Sequence, residues 1–196
     1  GTVISTINNN QDILVLKCGA DGTEIWGKTI GGTGNDYGTH IVTDSSDNVY
    51  MVATKTINGS DNIIVVLKYA ADGTQLMEKI IGETGSNSGV FRGYGIAIDS
   101  SDNFYVTGMF NVHQFSFAGM DLPVNDTNPD ILVLKCGADG TEIWGKSLGS
   151  TGWDYGLGIT TDSNDNVYVT GRFKGQLTIN GTSPQPPIDT LGGSDI

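Results

Sequence analysis

The sequence predicts an all-β fold, a β-propeller built of four-stranded antiparallel blades. Two observations carry this prediction: a pair of hairpin patterns recurs three times, and many of its strands are continuous apolar runs. Periods of ~40–50 residues are typical of propeller blades or solenoid coils, and continuous apolar runs indicate sheets that are covered on both faces. Blades stacked around an axis cover their sheets in this way. An extended β-solenoid-like array is the alternative.

The composition of the chain excludes several classes of function. Its 196 residues hold 10 Lys and Arg against 22 Asp and Glu, so the net charge is −12. A chain this acidic repels phosphate backbones, and we therefore expect no nucleic acid among its partners. No apolar run approaches the ~18 residues that span a bilayer, so a transmembrane segment is not expected either.

The first hairpin pattern of each repeat is the more regular one. Residues 12–28 read DILVLKCGADGTEIWGK, residues 130–146 repeat them letter for letter, and residues 61–79 are a diverged copy. Short runs rich in β-branched residues predict strands, and the Asp-Gly pair after each run predicts a tight turn. We place these C/D hairpins, the outer half of each blade, at residues 12–30, 61–81 and 130–148.

The second hairpin pattern follows each copy of the first. It begins with Tyr-Gly, turns at DSSDN or DSNDN, and returns on NVYMVAT, NFYVTG or NVYVTG. Asp, Ser and Asn side chains in such turns bond to the nearby backbone. The two carboxylates of each turn are therefore read as structural and not as a catalytic acid and base. We place these A/B hairpins, the inner half of each blade, at residues 37–54, 94–108 and 155–171.

The six hairpins make about three blade equivalents in one repeat module over residues 1–196. Two blades hold both of their hairpins in sequence, and the third is split between the two ends of the pattern. Propellers typically contain ~4–8 blades. We therefore expect this module to be part of a longer propeller, or to be completed by another chain.

The combined strings DILVLKCGADGTEIWGK, GGTGNDYG and VTDSSDNVYMVAT resemble the SBBP family of bacterial and archaeal β-propeller repeats, over nearly the whole chain. The resemblance implies a secreted or surface-anchored repeat protein without assigned catalysis. We expect a non-enzymatic extracellular or cell-surface module that acts as a structural or binding scaffold. Its expected partners are copies of itself, neighbouring repeats, or a surface protein or glycan.

Two other functions stay open at this stage. The first is a self-assembling subunit of an extracellular filament or sheath, in which a strand of one chain completes the open sheet of the next. The second, less favoured, is a glycan-active propeller enzyme. An enzyme predicts a cluster of residues that breaks the repeat at one end of the axis, and the sequence contains none.

The residues that could carry chemistry recur with the scaffold, so we expect no catalytic residue and no cofactor. Calcium is the one ligand that the Gly-rich loops suggest, because Asp36 and Asp154 stand where carboxylates and carbonyls suit a hard cation. The other reading is that both carboxylates cap backbone N–H groups in a loop between blades. Residues 22–29 also match the P-loop pattern, but the segment is strand-like and no helix follows it.

The remaining candidates are cysteines and glycosylation sequons. Cys18 and Cys136 hold equivalent positions in separate repeats, too far apart for a disulfide within one chain. A bond between chains stays open. Three Asn-X-Ser/Thr sequons follow the second hairpins and are candidate glycosylation sites. Their asparagines are Asn58, Asn125 and Asn180.

Overall fold

The computed structural model describes residues 3–57, 59, 61–82, 89–112, 114–123, 127–177 and 179. These residues form strands and turns, and no helix occurs among them. The all-β class expected from the sequence is confirmed. In chain order, the strands are β1 (Ile13–Cys18), β2 (Glu24–Ile30), β3 (Tyr37–Thr43), β4 (Val49–Ile57), β5 (Asp61–Tyr69), β6 (Gln75–Ile81), β7 (Val90–Ile98), β8 (Phe104–Asn111), β9 (Phe115–Phe117), β10 (Met120–Leu122), β11 (Asp130–Cys136), β12 (Glu142–Leu148), β13 (Tyr155–Thr161) and β14 (Val167–Arg172).

The strands form two complete blades flanked by two half-blades. The first blade is the antiparallel meander β3-β4-β5-β6, and the second is β7-β8-β11-β12. Hairpins β1-β2 and β13-β14 form separate two-stranded sheets. A single parallel bridge between Asn62 and Val90 joins the two blades. The short hairpin β9-β10 occupies the connection between β8 and β11.

Neighbouring sheets pack face to face and bury three apolar clusters. Ile13 of β1 and Met51 of the first blade share one cluster, and Val66 and Leu134 share the cluster between the two blades. A third cluster joins the second blade to β13 through Ile159. The innermost strands β3, β7 and β13 lie side by side in that order. This is the stacking of propeller blades, although the described strands do not close a ring.

The two identical 17-residue segments show what this stacking does to burial. They form the hairpins β1-β2 and β11-β12 with the same register. Leu132 and Leu134 are fully buried in the second blade, whereas their equivalents Leu14 and Leu16 are 60% and 46% exposed. The local sequence cannot cause this difference in burial, because the two segments are identical. The difference in burial arises because a neighbouring blade covers this face of β11 but does not cover the equivalent face of β1.

The Asp-Gly turns of the outer hairpins adopt the backbone conformation that glycine favours. Gly22, Gly73 and Gly140 have φ angles of 83° to 87°, in the left-handed region where other residues are strained. Each of these turns also closes with the same backbone hydrogen bonds, for example from the N–H of Gly140 to the carbonyl of Gly137 at 2.9 Å. The turn sequence therefore sets the register of the hairpin.

The strands differ from the sequence-based boundaries in two places. The middle A/B hairpin extends over 90–111 and not 94–108, because Val90 to Gly93 continue the ladder opposite Asn111 to Gly108. The first A/B hairpin likewise continues to Ile57, where Asp61 pairs with it. The long connection after β8 also contains the strand pair β9-β10, which the sequence did not indicate.

Candidate functional site

The DSSDN-type turns all lie at one end of the module, where β3, β7 and β13 end. In the second blade, Asp99 accepts hydrogen bonds from the backbone N–H groups of Ser101 and Asn103 and from the Asn103 side-chain amide, at 2.9 to 3.0 Å. The turns that start at Asp44 and Asp162 contain the same three bonds. Each of these aspartates therefore stabilises its own turn through the hydrogen bonds that it accepts.

In both complete blades, a lysine from the adjoining outer strand pairs with this aspartate. Lys135 Nζ lies 3.0 Å from Asp99 Oδ2 and 4.8 Å from the centroid of the Tyr105 aromatic ring. In the first blade, Lys68 Nζ lies 3.1 Å from Asp44 Oδ2, over the ring of the equivalent tyrosine. The inner and outer hairpins of a blade are therefore joined by a cation held between a carboxylate and an aromatic face.

The protonation behaviour of Asp99 agrees with a structural role. Burial by itself raises the pKa of this carboxyl, but hydrogen bonds from Asn103, Lys135 and Tyr105 outweigh burial and hold the pKa at about 2. A carboxylate that stays ionised at neutral pH and has its oxygens occupied does not exchange protons with a substrate. The shifted pKa therefore does not mark a catalytic acid.

Successive turns are also joined to each other. The backbone N–H and the hydroxyl of Ser45 donate to the Asp102 carboxylate at 2.9 and 2.7 Å. Ser100 donates in the same way to Asp165 of the following turn, with the same distances. In both pairs, the first serine of one turn thus donates hydrogen bonds to the second aspartate of the next turn. These links fix the spacing of blades around the axis at this end.

A cavity of about 650 Å³, lined by both polar and apolar atoms, opens at the opposite end, between the beginnings of β3 and β7. Its walls carry hydroxyl and amide groups, and Arg92 is the one cation among its lining residues. Tyr37 and Tyr94 stand at equivalent repeat positions in its wall. Such a lining can bind polar or anionic groups of a ligand by hydrogen bonds and can stack on flat ones.

The two aspartates considered for calcium are placed differently. Asp154 is fully buried, and its oxygens accept from the N–H and hydroxyl of Ser150 at 2.6 to 2.9 Å and from the N–H of Lys174 at 2.9 Å. Asp36 is 1% exposed and accepts from the N–H of Thr56 at 2.9 Å, but its Oδ2 atom has no hydrogen-bond partner. Both residues thus cap backbone groups.

The contrast between the two loops follows from one residue. Gly32 stands where the third repeat has Ser150, so the first loop lacks the hydroxyl that would satisfy Asp36. Burial raises the pKa of Asp36, and Asp12 nearby adds to the effect. In the part of the chain that the structure describes, no group of three or more His, Cys, Asp or Glu side chains is placed to hold a metal ion. Calcium at Asp36 or Asp154 stays a prediction.

Gly32→Ser is expected to raise the free energy of unfolding at pH 7 by about 1 kcal/mol, because it supplies the missing hydroxyl and restricts the unfolded chain. A side chain fits, since an added Cβ would stand 3.7 Å from Asp36 Oδ2. Urea unfolding measures the change. Ser150→Gly is the reciprocal variant and should lower stability by about 2 kcal/mol, since it leaves Asp154 without that partner. A Gly32→Ser variant no more stable than the wild type, or a Ser150→Gly variant no less stable, would contradict the assignment.

The assignment of Asp36 also predicts how the stability of the protein depends on pH. A carboxyl whose pKa is raised by folding binds protons more tightly in the native state, so stability falls as pH rises through that pKa. In the wild type, Asp36 should therefore contribute a loss of stability as pH rises from about 4 toward neutral. Gly32→Ser should flatten this part of the profile. An unchanged profile would show that Asp36 is not the titrating group.

The other candidate residues take structural positions or lie outside the described part. Cys18 and Cys136 are both free thiols, the first exposed and the second buried, and burial raises the pKa of Cys136 to about 12. Of the histidines, His40 accepts the backbone N–H of Ile96 on its Nδ1 atom at 3.1 Å, a hydrogen bond that joins β3 to β7. The three sequon asparagines lie outside the described residues. They are Asn58, Asn125 and Asn180.

Comparison with known proteins supports the repeat architecture. No family model matches the chain. An uncharacterized WD repeat-containing protein of Acanthamoeba polyphaga mimivirus is 23% identical over 239 aligned residues, which cover all of this chain and 17% of that relative. The chain thus spans about a sixth of the relative's length. WD repeats are propeller-type blades, in agreement with the blades described above. The strands and turns of the described residues include no helix that could span a lipid bilayer.

Proposed function

We propose that this chain is a non-enzymatic β-propeller repeat module of the SBBP type, and that it acts outside the cell or at its surface as a scaffold for contacts with other proteins. The proposal depends mainly on one observation, namely that the polar residues which recur with the repeat form hydrogen bonds within the scaffold itself. The turn aspartates Asp44, Asp99 and Asp162 are all occupied by hydrogen bonds within the scaffold. The relatedness to a WD repeat-containing protein supports a repeat-based scaffold.

The cavity between β3 and β7 is the surface through which we propose such contacts. Propellers commonly place binding residues on the loops at the ends of a rigid core. Here Tyr37, Tyr94 and Arg92 line a cavity between β3 and β7, two of the innermost strands. Tyrosine and arginine are among the residue types most enriched at binding hot spots. A polar or acidic loop of a partner protein has the chemistry that fits this lining.

A photo-crosslinking experiment tests this role. The photoreactive residue benzoylphenylalanine replaces Tyr94 in the cavity or, as a control, Ile25, which is 56% exposed on outer strand β2. Irradiation with a surface preparation of the source organism should give a discrete protein adduct at position 94 alone. Excess unlabelled wild-type protein should suppress it. Adducts of equal pattern at both positions, or turnover of glycan substrates by the purified protein, would contradict the scaffold function.

A second candidate function, a self-assembling subunit of an extracellular filament or sheath, is favoured by a separate observation. Among the described residues, β1 pairs only with β2 and β14 pairs only with β13. Within the part of the chain that the structure describes, each of these strands thus has one edge without a partner strand, and edges of this kind are templates for pairing with another chain. Electron microscopy of concentrated protein tests this alternative, which predicts fibres of uniform width.

A further inference from the structure

Arg92 breaks the repeat at the beginning of the second complete blade. The sequence pattern aligns Tyr94 with Tyr37 and Tyr155, because a glycine follows each of them. The strand ladders give a different equivalence. Arg92, Tyr37 and Tyr155 each lie directly before the glycine at which the register of their hairpin shifts. An arginine thus stands where the other two inner hairpins have a tyrosine.

The interface between β7 and β13 shows what a tyrosine does at this position. The ring of Tyr155 packs against Tyr94 with 6.4 Å between the ring centroids, and the guanidinium of Arg172 lies 4.3 Å from the Tyr155 centroid. Arg92, in contrast, is exposed, and among the described residues it forms no ion pair and no hydrogen bond. Its guanidinium therefore keeps its N–H donors for a ligand.

The charge of the cavity lining differs from the charge of the chain. The chain as a whole has a net charge of −12. Arg92 is nevertheless a lining residue of the cavity between β3 and β7, and no Asp or Glu occurs among the described residues of that lining. A guanidinium in such a lining attracts an anionic group of a ligand.

The threonine hydroxyls in the wall of the cavity are occupied by the scaffold. Thr39 Oγ1 donates to the carbonyl of Gly93 at 2.8 Å. Thr54 Oγ1 accepts from the N–H of Gly93 at 3.2 Å. Thr56 Oγ1 donates to the carbonyl of Asn35 at 2.6 Å. These hydroxyls therefore hold the two blades and the loop together, and recognition of a ligand falls to other groups of the lining.

The side chain of Asn35 adds a donor to the cavity. Its Oδ1 atom accepts the backbone N–H of Gln11 at 3.1 Å, and this bond fixes which end of the amide carries the free N–H groups. Asn35 and Arg92 line the same cavity, so both contribute donors to it. An ionised carboxylate only accepts hydrogen bonds and so matches these donors. A phosphate dianion would be repelled more strongly by the negative charge of the chain.

We propose that Arg92 determines the specificity of this cavity and binds the carboxylate of a glutamate or aspartate side chain in a loop of the partner protein. The proposal rests on the scaffold function proposed above, which supplies the partner. The guanidinium fork matches a carboxylate in a bidentate geometry, and the amide of Asn35 offers a further donor. The volume of about 650 Å³ is that of a typical ligand pocket, with room for a side chain and its flanking backbone.

Titration of isotope-labelled protein with capped tripeptides, followed by NMR, tests the binding. Acetyl-Gly-Glu-Gly-amide carries the proposed group, and acetyl-Gly-Gln-Gly-amide has the same shape without the charge. The glutamate peptide should shift the backbone amide signals of Tyr94 and Asn62, two lining residues, in a saturable manner. The glutamine peptide should bind at least ~10-fold more weakly, because it forms no charge-assisted hydrogen bond. Equal affinities for the two peptides would overturn the proposal.

Two variants assign the preference to Arg92. Arg92→Tyr introduces the residue that Tyr155 provides in the same register, so the fold accepts it. This variant should bind the glutamate peptide at least ~10-fold more weakly and should no longer distinguish the two peptides. Arg172→Met is the matched control, because it removes the same charge outside the described lining. Equal losses in both variants would attribute the binding to net charge and overturn the role of Arg92.

Further measurements separate the source of the carboxylate from the scaffold function. Tighter binding of free glucuronate than of the glutamate peptide would assign the cavity to an acidic sugar and overturn the protein loop as ligand. Failure of the peptide titration alone would overturn the carboxylate site and leave the scaffold function standing. Absence of a photo-crosslinked adduct at position 94 would contradict the scaffold function itself. An adduct that persists at full yield in Arg92→Tyr would overturn the role of Arg92 in binding the partner.

Discussion

Leu134→Ala is expected to lower the free energy of unfolding by about 3 kcal/mol, since it removes a fully buried side chain and leaves a cavity. Leu134 lies in the cluster between the two complete blades, where Val66 and Tyr50 also pack. The stacked sheets leave little freedom to collapse around the gap. Urea unfolding, followed by circular dichroism, measures the change.

The chain supplies a matched control for this variant within an identical sequence. Leu16→Ala makes the same substitution in the same 17-residue segment, but Leu16 is 46% exposed. In dilute solution, where single chains predominate, its effect should stay below about 1 kcal/mol. Equal losses for the two variants would show that the face-to-face packing of the blades is wrong.

Asp99→Ala is expected to lower stability by about 2 to 4 kcal/mol, because it leaves the half-buried Lys135 and the buried Tyr105 hydroxyl without their carboxylate partner. Asp99 is 6% exposed, and its carboxylate accepts hydrogen bonds from both of them and from Asn103. Chemical unfolding at pH 7 measures the loss. Asp162→Ala removes the same turn bonds from an exposed turn that has no described lysine partner, so its loss should be clearly smaller.

The pH dependence of the wild type provides a second measurement for Asp99. Its pKa is about 2 in the folded chain against 3.8 ordinarily. The unfolded state therefore binds more protons between these values, and stability rises with pH there. The contribution of Asp99 is complete above about pH 4 and is lost as pH falls toward 2. Asp99→Ala should remove this part of the profile, and an unaltered profile would contradict the assignment.

The sequence by itself determined the local structure of this protein. The Asp-Gly pairs specify hairpin turns because glycine adopts positive φ without strain, as Gly22 and Gly140 do. Turn aspartates such as Asp99 accept hydrogen bonds from the backbone two and four residues ahead. The five-residue turn sequence therefore contains the groups that stabilise the turn. The repetition of both patterns then gave the all-β class and the number of blade equivalents.

Contacts between distant parts of the chain were decided only by the tertiary structure. The pairing of Lys135 with Asp99 depends on strand order, and the hydrogen bond from the Thr56 N–H to Asp36 joins positions 20 residues apart. The clearest case is Leu16 against Leu134, since identical neighbours along the chain leave one side chain in water and bury the other. Local sequence sets the backbone conformation through short-range hydrogen bonds and steric preference. The burial of a side chain depends instead on which residues of the neighbouring sheet pack against it.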